Sequence, residues 1–312
     1  SETAQCDRNR FFLDTASRCS FSSRRSENNS PSWLHFPVSA SGFICSSSRI
    51  QARCCVEFLS ITYGSDEMHS PLPKAILLDL DDTIISFDHG LELDHCWLDA
   101  IRKHMPREYG AVSEEILAAI KERAKWYWSD PDRHKTGRLD LLKARQEIVS
   151  AALMKWNIND RSIAGNVAAT YGEERDKLIQ MFPDSLAAIE LFRSRGIKLA
   201  LITNGSAETQ WSKIHRFHLS ALFDCILVEG DLGFGKPEEE IYLLALKQLG
   251  VSADETWMIG DNYEWEVEAP QRLGIKGIWV DREGVGCSPN SSAQPYLIIR
   301  SLGDLLSVMQ VG

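Results

Sequence analysis

The sequence predicts an α/β fold in which a doubly wound parallel sheet carries an inserted helical cap domain. Three observations support it. From Lys74 onward, short apolar runs alternate with segments of helical periodicity. The runs are almost continuously apolar, as expected of strands that helices cover on both faces. The long stretch 81–197, between the first two runs, has helical periodicity and no strand pattern.

Five apolar runs are the predicted strands. Right-handed crossovers through helices would place them in one parallel sheet. In chain order they are Ala75–Leu80, Lys198–Thr203, Cys225–Val228, Trp257–Gly260 and Gly277–Val280. In open α/β sheets, ligands bind at the carboxyl ends of the strands, so the residues after each run are the first candidates for a site.

The helices are predicted from apolar periodicity and from their end signals. The segment PDSLAAIELFRSRG begins with Pro and Asp and stops at Gly196, and SLGDLLSVM opens with Ser301 and Asp304 in capping-box spacing. SEEILAAIKERAKWYW and RLDLLKARQEIVSAALMKW are amphipathic. A connection as long as the stretch 81–197 would be improbable without its own structure. Residues 88–180 are therefore predicted to form the cap, inserted between the core segments 68–87 and 181–312.

Residues 1–67 differ in composition from the rest of the chain. They contain fifteen serines, seven arginines balanced by seven acids, and neither lysine nor methionine. Three interpretations stay open: an organellar transit peptide, a disordered segment, or upstream sequence translated in frame, with the natural protein starting at Met68. In each case we expect the segment to carry none of the chemistry.

Charge and cysteine content restrict the class of partner. A formal net charge of -10 argues against nucleic-acid binding, and no apolar stretch approaches the roughly 20 residues that span a bilayer. The eight cysteines form neither a CxxC motif nor a Cys/His cluster. We therefore expect a soluble, reduced, cytoplasmic protein, or an organellar one if the leader is a transit peptide, that acts as a monomer or homodimer.

Polar residues follow three of the predicted strands. The first strand leads into Asp79–Thr83, the second ends in Thr203–Gly205, and the fourth ends in Gly260–Asn262; Lys236 lies in a GKP motif ahead of the fourth. Singly, such motifs are most often turns, caps or solvated lysines. Found together, in this order and beside buried strands, they predict one site.

This combination resembles the haloacid dehalogenase-like hydrolase superfamily, specifically its phosphatase branch, over residues 74–310. The resemblance implies a Rossmann-like core with a helical cap after the first motif. It also implies a Mg²⁺-dependent phosphatase that hydrolyses a small phosphorylated metabolite through an aspartyl-phosphate intermediate. The sequence does not identify the substrate.

The resemblance gives the two aspartates of the first motif separate roles. Asp79 would be the nucleophile, and Asp81 the general acid that protonates the leaving alcohol and then the base that deprotonates water. Dehalogenases of the superfamily lack an acid at the position of Asp81. We expect Thr83 to support the loop by a hydrogen bond and Asp82 to be a solvated neighbour.

The remaining motifs would bind phosphate and metal. Thr203 and the backbone donors of Asn204 and Gly205 would hold the phosphoryl oxygens, and Lys236 would neutralise the charge that the nucleophile and phosphate share.

Asp79, Asp261 and the backbone carbonyl of Asp81 would bind Mg²⁺. The family often has a second Asp shortly after the position of Asp261, where this chain has Glu266. We expect Glu266 to act indirectly, through water or by orienting Lys236, rather than as a direct ligand.

Two alternatives and one segment stay open. A phosphomutase of the β-phosphoglucomutase type uses the same motifs, whereas a non-catalytic binding protein would be expected to have lost Asp79, Asp81, Lys236 or Asp261, and all four are present. The basic run Asp132–Arg138 is expected to be a solvated loop, with contact to an acidic substrate as the alternative.

Overall fold

The computed structural model describes residues 72–288 and 291–310. The leader and Met68 lie outside these residues, so the predictions about them stay predictions. Within the described residues, six parallel strands form one sheet in the order β3-β2-β1-β4-β5-β6. The strands are β1 Ala75–Leu78, β2 Lys198–Thr203, β3 Cys225–Val228, β4 Thr256–Gly260, β5 Lys276–Val280 and β6 Leu297–Ile299. The predicted α/β fold class is confirmed.

Each of the five predicted strands is present, with ends shifted by two residues or fewer. β1 ends at Leu78 rather than Leu80, although the backbone N–H of Asp79 still donates to the carbonyl of Ile259 at 3.0 Å. The sixth strand, β6, was not predicted. It is three residues long and pairs with β5 at the edge of the sheet, and a run that short carries no reliable strand signal.

Helices connect the strands and fill the long stretch after β1. They are α1 Leu93–His104, α2 Ser113–Trp128, α3 Pro131–Leu139, α4 Leu141–Leu153, α5 Arg161–Leu178, α6 Ser185–Ser194, α7 Ala207–Arg216, α8 Glu229–Leu232, α9 Glu239–Leu249, α10 Ala269–Arg272 and α11 Asp304–Gln310. A single π-helical turn, Glu264–Glu268, precedes α10. Of the helices that the structure describes, none is both long and apolar enough to cross a bilayer.

The sheet has an apolar layer on each face. Along β1, Ile76 and Leu78 belong to one buried cluster and Ala75 and Leu77 to another, as the alternation of side chains along a strand requires. All four side chains are fully buried. This double coverage explains why the strands read as continuous apolar runs in the sequence.

Helices α1, α2, α4 and α5 share a third hydrophobic cluster. Its members include Trp97 of α1 and Tyr171 of α5, whose rings stack with centroids 3.6 Å apart. The exact boundaries of the cap, 88–180, stay a prediction. The expectation of a loop over 132–138 is wrong, because these residues lie in α3: Asp130 caps the helix by accepting from the backbone N–H of Arg133 at 2.9 Å, and Pro131 occupies its first turn.

Candidate active site

Three predicted site residues meet at the carboxyl edge of the sheet. β1 lies between β2 and β4, so Asp79 at the end of β1 has Thr203 on one side and Asp261 on the other. The register pairs Leu78 of β1 with Leu201 of β2 and with Ile259 of β4. Parallel pairing therefore brings together side chains that are far apart in sequence.

Lys236 lies between two carboxylates. Its side chain is fully buried, and Nζ donates to Asp79 Oδ1 at 2.5 Å and to Glu266 Oε1 at 2.8 Å. Gly260 permits this approach, because a Cβ atom there would lie 2.3 Å from Glu266 Cγ and 2.9 Å from Asp79 Cβ. The contact is the one expected if Glu266 orients Lys236, and that role stays a prediction.

Negative charge exceeds positive charge in this buried region. Burial raises the pKa of Asp79, although Lys236 lowers it, and burial raises the pKa of Glu266 to about 7. The pKa of Asp261 lies well above its usual value because of burial and because Asp79 and Glu266 repel its charge. A single lysine cannot compensate three carboxylates, so the site favours a further cation.

The available donors suit a hard, hydrated cation. Among residues 72–288 and 291–310, no group of three His, Cys, Asp or Glu side chains could hold a metal ion. Two carboxylates, Asp79 and Asp261, would therefore need a backbone carbonyl and water to complete the shell, an oxygen-only set of the kind that Mg²⁺ prefers. Oε2 of Glu266 is buried and has no hydrogen-bond partner in the described part of the chain, which leaves it free to accept from such a water.

Asp81 is held by two side chains that the sequence analysis missed. Lys213 Nζ lies 2.7 and 2.6 Å from the two carboxylate oxygens of Asp81, and Gln210 Nε2 donates to Oδ2 at 3.0 Å. Gln210 also donates to the hydroxyl of Thr203, which links the first two motifs. Gln210 and Lys213 are three residues apart on α7, the helix that begins directly after the second motif, so their helical spacing was an available signal.

In the loop after Asp81, the expectations for Asp82 and Thr83 are both wrong. Asp82 is not a solvated neighbour: its carboxylate accepts from the backbone N–H groups of Phe87, Asp88 and His89 at 2.7 to 3.1 Å. Burial and the charge of Asp88 raise the pKa of Asp82 to about 6. The hydroxyl of Thr83 was expected to support the loop, yet it is buried without a hydrogen-bond partner among the described residues.

The second motif, Thr203–Gly205, contacts the rest of the site through hydrogen bonds of its side-chain and backbone amides. The side chain of Asn204 donates to the carbonyl of Lys236 at 2.7 Å and accepts from the N–H of Lys236 at 2.9 Å. The N–H of Gly205, predicted to face phosphate, donates to Glu229 Oε2 at 2.9 Å. That donor is occupied by a carboxylate of the protein itself.

Glu229 also binds an arginine of the helical region. Arg138 of α3 donates to both carboxylate oxygens of Glu229, from Nε at 2.8 Å and from Nη2 at 2.6 Å. The side chains are 12% and 1% exposed, so the pair is shielded from water. Glu229 thus joins α3 to the loop that carries Gly205.

We expect Glu229→Gln to lower the free energy of unfolding by about 1–3 kcal/mol, because the amide cannot accept two charge-assisted hydrogen bonds from Arg138. The measurement is urea unfolding followed by circular dichroism. Glu238→Gln is the matched control, since Glu238 pairs with Lys135 at 2.8 Å on an exposed surface, where a loss below about 1 kcal/mol is expected. Equal losses in the two variants would contradict the importance of the buried pair.

A cleft opens beside Asp81 with an empty volume of about 290 Å³, part of it open to solvent. Its walls come from the first two motifs, from α7 and from the helical region. They include Asp81, Phe87, Arg138, Leu141, Asn204 and Gly205. Asp81 is the residue of the first motif whose carboxylate lines this cleft.

Comparison with known proteins gives a family and several relatives. A family model for haloacid dehalogenase-like hydrolases matches residues 73–274. The phosphoserine phosphatase of Thermus thermophilus is 28% identical over 253 residues, which cover 75% of this chain and 97% of that protein. The glyceraldehyde 3-phosphate phosphatase of Methanocaldococcus jannaschii is 26% identical over 216 residues, covering 67% and 88%.

One solved structure shows how far the fold is shared. The magnesium-bound HAD-hydrolase YfnB from Bacillus subtilis superposes with a TM-score of 0.59 at 20% sequence identity. The superposition covers 77% of this chain and 99% of that one. At this level of identity the similarity shows the fold.

Proposed function

We propose that this chain, which belongs to the haloacid dehalogenase-like hydrolase family, is a Mg²⁺-dependent phosphatase of small-metabolite phosphate monoesters that works through an aspartyl-phosphate. The observation that carries the proposal is the position of Asp79. It directly follows the central strand β1, its Oδ1 lies 2.5 Å from Nζ of the buried Lys236, and it precedes the anchored Asp81 by two residues. Phosphatases among the relatives support it. Their named substrates differ, so they do not choose the substrate of this chain.

The chemistry divides into two displacements. In the first, a carboxylate oxygen of Asp79 forms a bond to phosphorus as the ester P–O bond breaks, and Asp81 gives its proton to the departing alkoxide. In the second, Asp81 takes a proton from water, whose oxygen bonds to phosphorus while the acyl-phosphate P–O bond to Asp79 breaks. The products are the alcohol and inorganic phosphate, and both aspartates return to their starting states.

Lys236 and Thr203 prepare the site for an anion. Lys236 offsets the repulsion between Asp79 and the phosphate, which would otherwise oppose their approach. The hydroxyl of Thr203 accepts from Gln210, so its own proton stays available to donate to a phosphoryl oxygen. The 88–180 segment, proposed as the cap, would limit water access to this space.

Asp79, Asp261 and the backbone carbonyl of Asp81 would hold Mg²⁺. When bound, Mg²⁺ offsets the charge of the carboxylates and of the transferring phosphoryl group. The charge excess at Asp79, Glu266 and Asp261 supports this assignment, since it is the repulsion that a divalent cation would remove.

We expect p-nitrophenyl phosphate hydrolysis to require Mg²⁺, and Asp261→Asn to raise the Mg²⁺ concentration for half-maximal activity by about 10-fold or more, because a carboxylate ligand becomes a neutral amide. The measurement is a Mg²⁺ titration of chelator-treated protein. Asp254→Asn, which alters an exposed carboxylate at the opposite end of β4 from Asp261, is the control and should leave the titration unchanged. Full activity in excess chelator would contradict the metal assignment.

A further inference from the structure

The charged side chains that line the cleft beside Asp81 are neutralised by the protein itself. Among the described residues that form its walls, Arg138 and Asp81 are the only two that ionise. Arg138 donates to both carboxylate oxygens of Glu229, at 2.8 and 2.6 Å. Asp81 has Lys213 Nζ within 2.7 and 2.6 Å of its two oxygens. The cleft therefore offers a ligand no uncompensated charge.

The second motif forms another wall, and its amide groups are also engaged. Asn204 uses both ends of its side-chain amide on the backbone of Lys236, at 2.7 and 2.9 Å. The N–H of Gly205 donates to a carboxylate of the protein at 2.9 Å. Phe87 and Leu141 add apolar surface. Most of the cleft is thus either apolar or already satisfied in its hydrogen bonding.

Two neutral polar groups of the walls keep hydrogen-bonding capacity. Gln210 uses Nε2 as a donor within the active site, whereas its Oε1 accepts from no described residue. This oxygen lies beside Gly205, since a Cβ atom there would come within 3.4 Å of it. Thr209 Oγ1 accepts from the hydroxyl of Ser206 at 2.9 Å, and its own proton has no acceptor among the described residues. The free groups are one donor and one acceptor, both uncharged.

We infer that the leaving alcohol of the substrate occupies this cleft and is short and uncharged. The inference rests on the proposed function and names its substrate class: phosphate monoesters of neutral hydroxy compounds of roughly two to four carbons. Asp81 has to reach the departing oxygen to protonate it, so the alcohol lies beside the wall that Asp81 forms. Its carbons contact Phe87 and Leu141, and a further hydroxyl donates to Gln210 Oε1 or accepts from Thr209.

A charged alcohol finds no free counter-charge in this cleft. A carboxylate can bind Arg138 only by displacing Glu229, whose side chain is 1% exposed and would be left buried without a cation. An ammonium group would compete with Lys213 for Asp81 and would lose its hydration on entering. The cleft therefore selects its ligand by excluding charge.

Two matched pairs of esters test this inference. Glycerol 3-phosphate and 3-phosphoglycerate differ by a carboxylate, and 2-hydroxyethyl phosphate and O-phosphoethanolamine differ by an ammonium group. We expect the wild-type protein to prefer the neutral member of each pair by about 10-fold or more in kcat/KM, because the charged member loses hydration that the cleft does not replace. Hydrolysis of p-nitrophenyl phosphate in Mg²⁺ measures the catalytic competence of each preparation.

Glu229→Gln then locates the effect, because it leaves the charge of Arg138 uncompensated. We expect it to narrow the preference for glycerol 3-phosphate over 3-phosphoglycerate by about 3-fold or more, since the guanidinium becomes available to the carboxylate. The ratio for the ammonium pair should not narrow. Glu238→Gln removes the exposed partner of Lys135 and should retain both wild-type ratios. Ratios of kcat/KM within one preparation do not depend on the fraction that is folded.

Three results would overturn the inference and leave the proposed function in place. The first is a charged ester that is hydrolysed as efficiently as its neutral partner. The second is hydrolysis of p-nitrophenyl phosphate with none of the four esters accepted. The third is an unchanged carboxylate ratio in Glu229→Gln. If the wild-type protein hydrolyses neither the esters nor p-nitrophenyl phosphate in Mg²⁺, the proposed function is wrong, and this inference with it.

Discussion

Asp79→Asn is expected to lower kcat for p-nitrophenyl phosphate by roughly 10³-fold or more while the protein stays folded. The amide cannot form the acyl-phosphate bond, so the first displacement has no nucleophile. The fold should tolerate the change because asparagine has the same shape, and its Oδ1 can still accept from Lys236 Nζ. Removing one charge also reduces the repulsion that Asp261 experiences.

The measurement is phosphate release at saturating Mg²⁺ together with urea unfolding of the same preparation. Asp94→Asn is the matched control: Asp94, on α1, is 59% exposed and paired with Lys121 of α2. It should retain wild-type kcat. If Asp79→Asn keeps more than about a tenth of the activity, the nucleophile is a different group.

The sequence was sufficient to predict how the motif residues come together. Parallel strands end at one edge, so locating Asp79, Thr203 and Asp261 after apolar runs was enough to place them in adjacent positions. The position of Lys236 was predicted in the same way, from the order of elements along the chain, because its GKP motif precedes the helix that leads to β4. These predictions depend on local pattern and on strand order, both of which the sequence carries.

Other contacts depend on packing that no local pattern contains. The partner of Arg138 is Glu229, 91 residues away, and the pairing needs α3 to lie against the start of α8. Asp82 accepts from three backbone N–H groups of its own loop because the loop turns back over its carboxylate. The backbone of Asp82 itself has a positive φ of 57° at this turn. Side chains that support a site are therefore harder to predict than those that perform its chemistry.

Lys236→Gln is expected to abolish activity and to lower the free energy of unfolding by about 3–5 kcal/mol at pH 8 in metal-free protein. Lys236 is fully buried and donates to both Asp79 and Glu266, so its loss leaves two buried carboxylates without a cation. Arginine would not be a conservative replacement, because its planar guanidinium differs in shape and hydrogen-bonding geometry from an ammonium group.

The loss should shrink as the pH falls. The pKa of Glu266 is about 7 in the folded protein against an ordinary value of 4.5, so the folded state binds this proton more tightly than the unfolded state. Its contribution to stability is complete below pH 4.5 and disappears as the pH rises through 7. Without Lys236 the pKa values of Glu266 and Asp79 rise further. Protonation near pH 5.5 should then neutralise these two carboxylates, which have lost their cation.

Urea unfolding of Lys236→Gln and wild-type protein at pH 8 and pH 5.5 measures this dependence, with chelator present throughout. The double variant Lys236→Gln/Glu266→Gln is the control, because it removes one stranded carboxylate and should recover part of the stability at pH 8. A difference between variant and wild type that is the same at both pH values would mean that the destabilisation comes from lost packing around the lysine side chain. A difference that grows toward pH 8 would assign it to the buried carboxylates, the same excess of negative charge on which the Mg²⁺ assignment depends.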